Sequence, residues 1–219
     1  MSASYSRVAA VLVALSALCG CSSLYYAGMK KLGQEKRDIL AKRVEEGRKD
    51  QQEAKQQFQT ALEAFQSLTG FDGGNLEETY KRLNREYERT ADRANDVSKR
   101  IGSIEQVAGD MFREWDREIG EMRNGDLKSR SRALRQEAER RYRPLIARMK
   151  ASETKMKPVL AAFRDEVLFL KHNLNAKAIA SLKKTALQMD GDVAQLVKEI
   201  EASIREADAF IATLGAEAE

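Results

Sequence analysis

Cys21 is the residue of this chain best placed to do chemistry. It closes the run Leu18-Cys19-Gly20-Cys21, which has the form of a lipobox, with a small residue directly ahead of a cysteine. In such a run the thiol takes a diacylglyceryl group, and cleavage leaves the acylated cysteine as residue one of the mature chain. What precedes it fits an export signal: Arg7 is the only charged residue before Lys30, and the apolar run Val8 to Leu15 is closed by Ser16-Ala17. A helix that spans a bilayer needs about 20 apolar residues, more than this run supplies. An ordinary signal peptide that happens to contain a cysteine is the alternative. Ser22 stands where an inner-membrane retention signal would place Asp, which favours the outer membrane. Acyl chains on both the thiol and the amino terminus make a durable anchor, because one chain alone binds only marginally.

Other reactive constellations are missing. Cys19 and Cys21 are the only cysteines, and the first leaves with the signal, so the mature chain can form no internal disulfide and no cysteine-based zinc site. His172 is the single histidine. The glycine-rich run Phe71-Asp72-Gly73-Gly74 lacks the Gly-Lys-Ser/Thr ending of a phosphate loop. Glutamates are plentiful but none form a distinctive pair, and Trp115 and the methionines fall on apolar stripes where packing explains them. A non-catalytic protein is expected, with no metal and no cofactor beyond covalent lipid on Cys21.

The elements that would position these residues are helices. Two prolines, a third of the chain charged, and an excess of Ala, Glu, Lys, Leu, Arg and Gln give the composition of long helices and coiled coils. From Leu76 the apolar positions Tyr80, Leu83, Tyr87, Ala91, Ala94, Val97, Ile101, Ile104, Ala108, Met111, Trp115, Ile119 and Met122 follow in steps of three and four. Similar stripes run from Ile39 to Leu68, from Leu127 to Leu170 and from Ile179 to Leu214. The first is interrupted at Gly47 and Gln51, where looser packing is expected. Breaks fall at Thr69 to Asn75, with Asn75 as helix cap; at Arg123-Asn124-Gly125-Asp126, with Asp126 as cap; and at His172-Asn173-Leu174-Asn175. The fold class is all-α, an elongated antiparallel bundle or coiled coil of four long helices. Three helices, with the last two continuous, is the competing arrangement, because the apolar phase survives across Leu170, Leu174 and Ala178. The expected boundaries are a signal peptide over 1–20, an acylated tether over 21–34, one bundle domain over 35–214 and a disordered tail over 215–219. Leu24, Tyr25 and Tyr26 in the tether fit either lipid headgroups or a helix start that packs on the bundle.

In the four-helix arrangement the first and third turns share the end distal to the anchor. That gathers Phe71, Asp72, Asn75, His172, Asn173 and Asn175 as candidate interaction residues at the tip. The asparagines also serve simply as caps. The second turn returns to the base, where Lys128, Arg130 and Arg132 are candidates for contact with an anionic surface.

The run Leu168-Phe169-Leu170-Lys171-His172-Asn173-Leu174-Asn175-Ala176-Lys177-Ala178-Ile179-Ala180-Ser181-Leu182 resembles the signature of domain-of-unknown-function family 2959. Lys36-Arg37-Asp38-Ile39-Leu40, Arg43-Val44-Glu45, Phe71-Asp72-Gly73-Gly74-Asn75-Leu76-Glu77, Phe112-Arg113-Glu114-Trp115 and Pro158-Val159-Leu160 agree with it. The resemblance covers almost all of the mature chain. It implies a helical envelope protein of Gram-negative bacteria and implies no activity.

With Arg7 removed, 37 basic residues stand against 34 acidic ones, a balance of +3 that is too mild to indicate nucleic-acid binding. The distribution is uneven. Arg123 to Lys150 holds ten basic residues and three acidic ones, and from Asp190 onward eight acids face Lys198 and Arg205. Two explanations fit: the basic start of the third helix pairs with the acidic end of the fourth, or the basic turn meets anionic headgroups. Two functions follow. One is a tethered scaffold or spacer in the cell envelope, at the outer membrane facing the periplasm, presenting its tip to an envelope protein or cell-wall partner. The other is a binder of anionic lipid or cell-wall ligand through the basic turn or a helix groove. A homodimer is compatible with either.

Overall fold

A computed structural model of the protein describes residues 36–70 and 75–216. They form four helices: α1 (Lys36–Thr69), α2 (Leu76–Glu121), α3 (Gly125–His172) and α4 (Ala176–Ala216). No strand occurs among the described residues. Helix α1 packs against α2 and α4, and α3 packs against the same two, so successive helices neighbour one another around a ring. Ion pairs from Lys36 to Glu114 and from Arg93 to Glu53 show that α1 and α2 run antiparallel. The third helix has 48 residues, about 72 Å at 1.5 Å per residue. The break before α4 is real: Asn173 leaves the helical region at φ −127° and ψ 46°, and α4 folds back along α3. Among the described residues four helices, not three, make the bundle.

Caps explain where the helices stop and start. The Asn75 side chain accepts from Glu78 N at 3.2 Å and opens α2. Asn124, not the expected Asp126, opens α3 by accepting from Leu127 N at 3.0 Å. Asp126 lies one residue inside, where its charge faces the positive end of the helix dipole. Pro144 and Pro158 sit within α3 on its exposed face. The carbonyls they leave unpaired, those of Arg140 and Thr154, belong to exposed residues that water can reach.

The core follows the stripes with three corrections. Phe58, Phe65 and Phe163 are among its largest fully buried side chains, and Phe65 meets Phe163 edge to face at 6.4 Å. Packing at Gly47 is tighter than expected, not looser. A Cβ there would lie 3.0 Å from Ile104 Cδ1 and 3.4 Å from Met149 Cε, so the missing side chain lets three helices converge. One turn on, buried Gln51 donates from Nε2 to Ser152 Oγ at 2.9 Å across the core. The second correction is on α4, whose buried line passes through Ser203, Ala207 and Phe210, leaving Ile204 and Ile211 half-buried. The third is at the start of α3, where Leu127 and Leu134 are 56% and 60% exposed instead of core. Lys36 at the start of α1 is level with Glu114. The α2–α3 turn therefore projects past the described parts of α1 and α4.

Two stability predictions follow. Gly47→Leu should cost about 1–3 kcal/mol through overpacking. Gly102→Ala, where nothing lies within 4 Å of the added Cβ, should gain roughly 1 kcal/mol from helix propensity. Urea denaturation of both variants checks the contrast. Glu166 tests the electrostatics. Burial pushes its carboxyl above the usual glutamate range, a Thr185 hydrogen bond opposes that, and the Asp165 charge adds to it. A raised pKa contributes stability only where the group is protonated, so the charged form at neutral pH is a liability. Glu166→Gln should raise the Tm at pH 7, with the gap to wild type closing as the pH falls towards about 4.

Candidate functional site

The two ends of the bundle differ in how much of their chemistry is already used. At the end shared by the α1–α2 and α3–α4 connections, the asparagines are occupied. Asn75 caps α2 as described. Asn173 Nδ2 donates to Phe169 O at 2.9 Å, and Asn175 accepts from Ala178 N at 3.0 Å to open α4. His172 is exposed as the last residue of α3. Phe71 and Asp72 lie outside the described residues. Around His172 the unexpected feature is apolar: Leu168 and Phe169 are 48% and 41% exposed. Leu187, further down α4, is also exposed. Both Leu168 and Phe169 stand next to stripe residues Val167 and Leu170, so a stripe reading alone passes over them.

At the opposite end, Lys128 Nζ donates to Gly120 O at 3.1 Å and so closes the last turn of α2. Arg130 and Arg132 are exposed and, with Arg123, make no ion pair among the described residues. Among the described residues, the basic start of α3 and the acidic end of α4 meet in few ion pairs. Of the pairs between α3 and α4 there is Arg148 with Glu199, at 3.9 Å. The acidic end of α4 is taken by α1 instead, through Lys55 with Glu201 at 3.2 Å and Arg48 with Asp208 at 3.4 Å. The basic part of α3 pairs with α2, Arg135 with Asp116 at 2.9 Å and Lys150 with Glu105 at 2.8 Å. It also pairs with its own Glu137 and Glu139, which its arginines hold below the usual carboxylate range. The projection of the α2–α3 turn explains the change, because it carries Arg123 to Arg132 past the described end of α4.

Between the four helices at this end lies a cavity of about 550 Å³. Leu40 of α1, Met111, Phe112 and Trp115 of α2, Leu134 and Ala138 of α3, and Phe210 of α4 give it an apolar wall. Phe112, Tyr142 and Phe210 form an edge-to-face chain with centroid separations of 5.8 and 6.5 Å. Burial first, and then the Glu105 charge, push the Tyr142 phenol well above the usual tyrosine range, so it stays neutral. The Arg135 guanidinium lies 4.9 Å from the centre of the Phe112 ring. Trp115 Nε1 donates to Ser131 Oγ at 2.9 Å, which leaves the indole ring as an apolar surface. Sequence reasoning assigned Trp115 to packing and left Phe112 and Phe210 off the stripes. Their one available signal was that α2 and α4 each carry a phenylalanine beside the stripe in their C-terminal part.

Among the described residues no group of His, Cys, Asp or Glu is arranged to hold a metal ion. None of the described helices is long and apolar enough to cross a membrane. Cys21 lies outside the described residues. What the geometry defines is a class, an elongated up-and-down four-helix bundle with an apolar cavity at one end. The chain belongs to the family described as Protein of unknown function (DUF2959), whose match covers residues 25–214. No curated protein and no solved structure matches it.

The two roles of the His172 run separate by mutation. Asn175→Ala should cost about 1 kcal/mol as a lost N-cap. His172→Ala, exposed, should stay within about 0.5 kcal/mol of wild type. Thermal unfolding of the two variants side by side reads this difference.

Proposed function

We propose that the protein is a non-catalytic lipoprotein of the cell envelope, acylated on Cys21 and held at the outer membrane facing the periplasm. There it acts as a rigid spacer that presents its distal end to another envelope component. The observation that carries this reading is the exposed pair Leu168 and Phe169 beside His172, at the end of the bundle opposite the start of α1. Aromatic and aliphatic side chains left in water at the tip of a stiff rod are suited to docking on a protein partner. The asparagines around them serve as caps and hold that tip in one shape. The Leu18-Cys19-Gly20-Cys21 run supports the anchor.

Two measurements test the reading separately. Metabolic labelling with a clickable fatty acid should mark the wild-type chain and leave Cys21→Ser unmarked; equal labelling of both would remove the anchor from the proposal. Photoreactive residues at positions 169 and 172, compared with 128 and 132 in intact cells, should give specific protein adducts at the first two. Protein adducts confined to the 128 and 132 positions, or none anywhere, would overturn the spacer reading.

A further inference from the structure

Two depressions at the end where α1 begins share a wall. The larger is the cavity of about 550 Å³ between the four helices. The other, about 500 Å³, is a shallower slot running along the α2–α3 turn from Met122 and Leu127 to Leu134. Leu134 lines both. They therefore adjoin, shallow and open at the turn, deeper towards Trp115 and Phe112.

We propose that this channel seats one acyl chain of an anionic phospholipid, with its phosphate against Arg123 and Arg130 at the mouth. The inner part suits a hydrocarbon chain. Its volume falls in the range of roughly 300–1,000 Å³ typical of small-ligand sites. Of the polar groups on its wall, Lys36 is paired with Glu114, Arg141 with Glu137, and Trp115 Nε1 is committed to Ser131. The outer part suits an anion. Arg123 and Arg130 line the slot and make no ion pair among the described residues. Guanidinium groups with donors to spare are the usual partners of phosphate oxygens. The exposed Leu127 and Leu134 connect the two parts and would be covered by the chain. Lys36, on the cavity wall, is also the first described residue after the segment that leads back to Cys21. That the lipid comes from the neighbouring bilayer rests on the anchor proposed above; the binding does not.

Trp115 is the chain's single tryptophan and stands in the cavity wall, so it reports occupancy directly. The full chain carrying Cys21→Ser, with no acyl group of its own, is titrated below the micelle concentration with a lysophosphatidylglycerol brominated on its acyl chain. Saturable quenching of Trp115 is expected. Binding should be roughly tenfold weaker for Arg123→Gln/Arg130→Gln, the size of one lost charge-assisted hydrogen bond. It should be weaker too for the brominated lysophosphatidylcholine, whose choline cation cancels the net charge of the headgroup beside the two guanidinium groups. Ala138→Phe, which fills the cavity, should abolish the quenching at an unchanged circular-dichroism spectrum. Leu134→Ser, at an exposed position, should weaken it and serves if Ala138→Phe does not fold. Quenching that is absent, fails to saturate, is equal for both headgroups, or survives both cavity variants would overturn the assignment. Capture of an apolar protein segment in place of lipid would show as no quenching.

Discussion

At Gly47 the backbone of α1 comes so near its neighbours that even a methyl group would press on Ile104 and Arg100 of α2 and touch Met149 of α3. One turn later Gln51 reaches across to Ser152 of α3 from a position that is 1% exposed. Long helices with uniform apolar seams can slide past one another by a turn at little cost. A glycine that admits particular side chains, followed by a buried amide with a particular acceptor, removes that freedom. A one-turn slip would set a bulky residue of α1 against Ile104 and leave the Gln51 amide buried without Ser152, a loss of about 1–3 kcal/mol for the unmet hydrogen bond alone. Polar groups in the seams of helical bundles are best known for setting register in this way. Arg100, reaching both Glu46 and Asp50 from the facing helix, brackets the same level from outside.

Register at the middle decides what happens at the ends. With α1 fixed at Gly47, its first described turn comes level with Glu114, well short of the α2–α3 turn. Among the described residues, that offset leaves Leu127 and Leu134 exposed and lets Phe112 and Trp115 of α2 and Phe210 of α4 line a cavity instead of closing on it. It also redistributes charge. Residues Arg123 to Arg132 extend past the described acids of α4, of which Glu201 and Asp208 pair with α1. The exposed cations at this end are thus a consequence of helix lengths and register more than of local sequence. Exposed ion pairs contribute little to stability individually, so this pattern is free to be shaped by what the surface meets.

The helices themselves were legible. Steps of three and four along each segment marked the middle of the buried face of α2, from Ala94 to Ala108, while Glu86, Thr90 and Phe112 are buried beside the expected Tyr87, Ala91 and Met111. Asn75 was readable as a cap from its spacing to Glu78. The sequence was less informative wherever a property depends on two helices at once. Gly47 and Gln51 look like gaps in a stripe when α1 is read alone; their meaning lies in Ile104, Met149 and Ser152, which are far away in the chain. Leu127 and Leu134 are in phase with the α3 stripe, and nothing in α3 says that they are exposed. Asn124 and Asp126 are both good caps by type, and only the backbone path chooses between them. At the tip, the capping role of Asn173 and Asn175 was readable, while the exposure of Leu168 and Phe169 was not, because periodicity marks residues that face a core and gives no weight to apolar residues that do not.

Taken together, the ends divide the labour of the molecule in a way that follows from one asymmetry. Four helices of unequal length, aligned at a single level, cannot finish flush at both ends. Here the mismatch is concentrated at the end where α1 begins, and the opposite end closes with capped turns: Asn75 on α2, Asn173 and Asn175 around the α3–α4 junction. A capped, closed end offers what projects from its surface, which among the described residues includes Leu168, Phe169 and His172. A staggered end offers depth, an interior wall of aromatic side chains reached past aliphatic residues and bounded by cations. Surfaces that dock on folded partners and recesses that accept flexible chains make these two different demands. A bundle whose register is locked at its centre can meet both without either end disturbing the other.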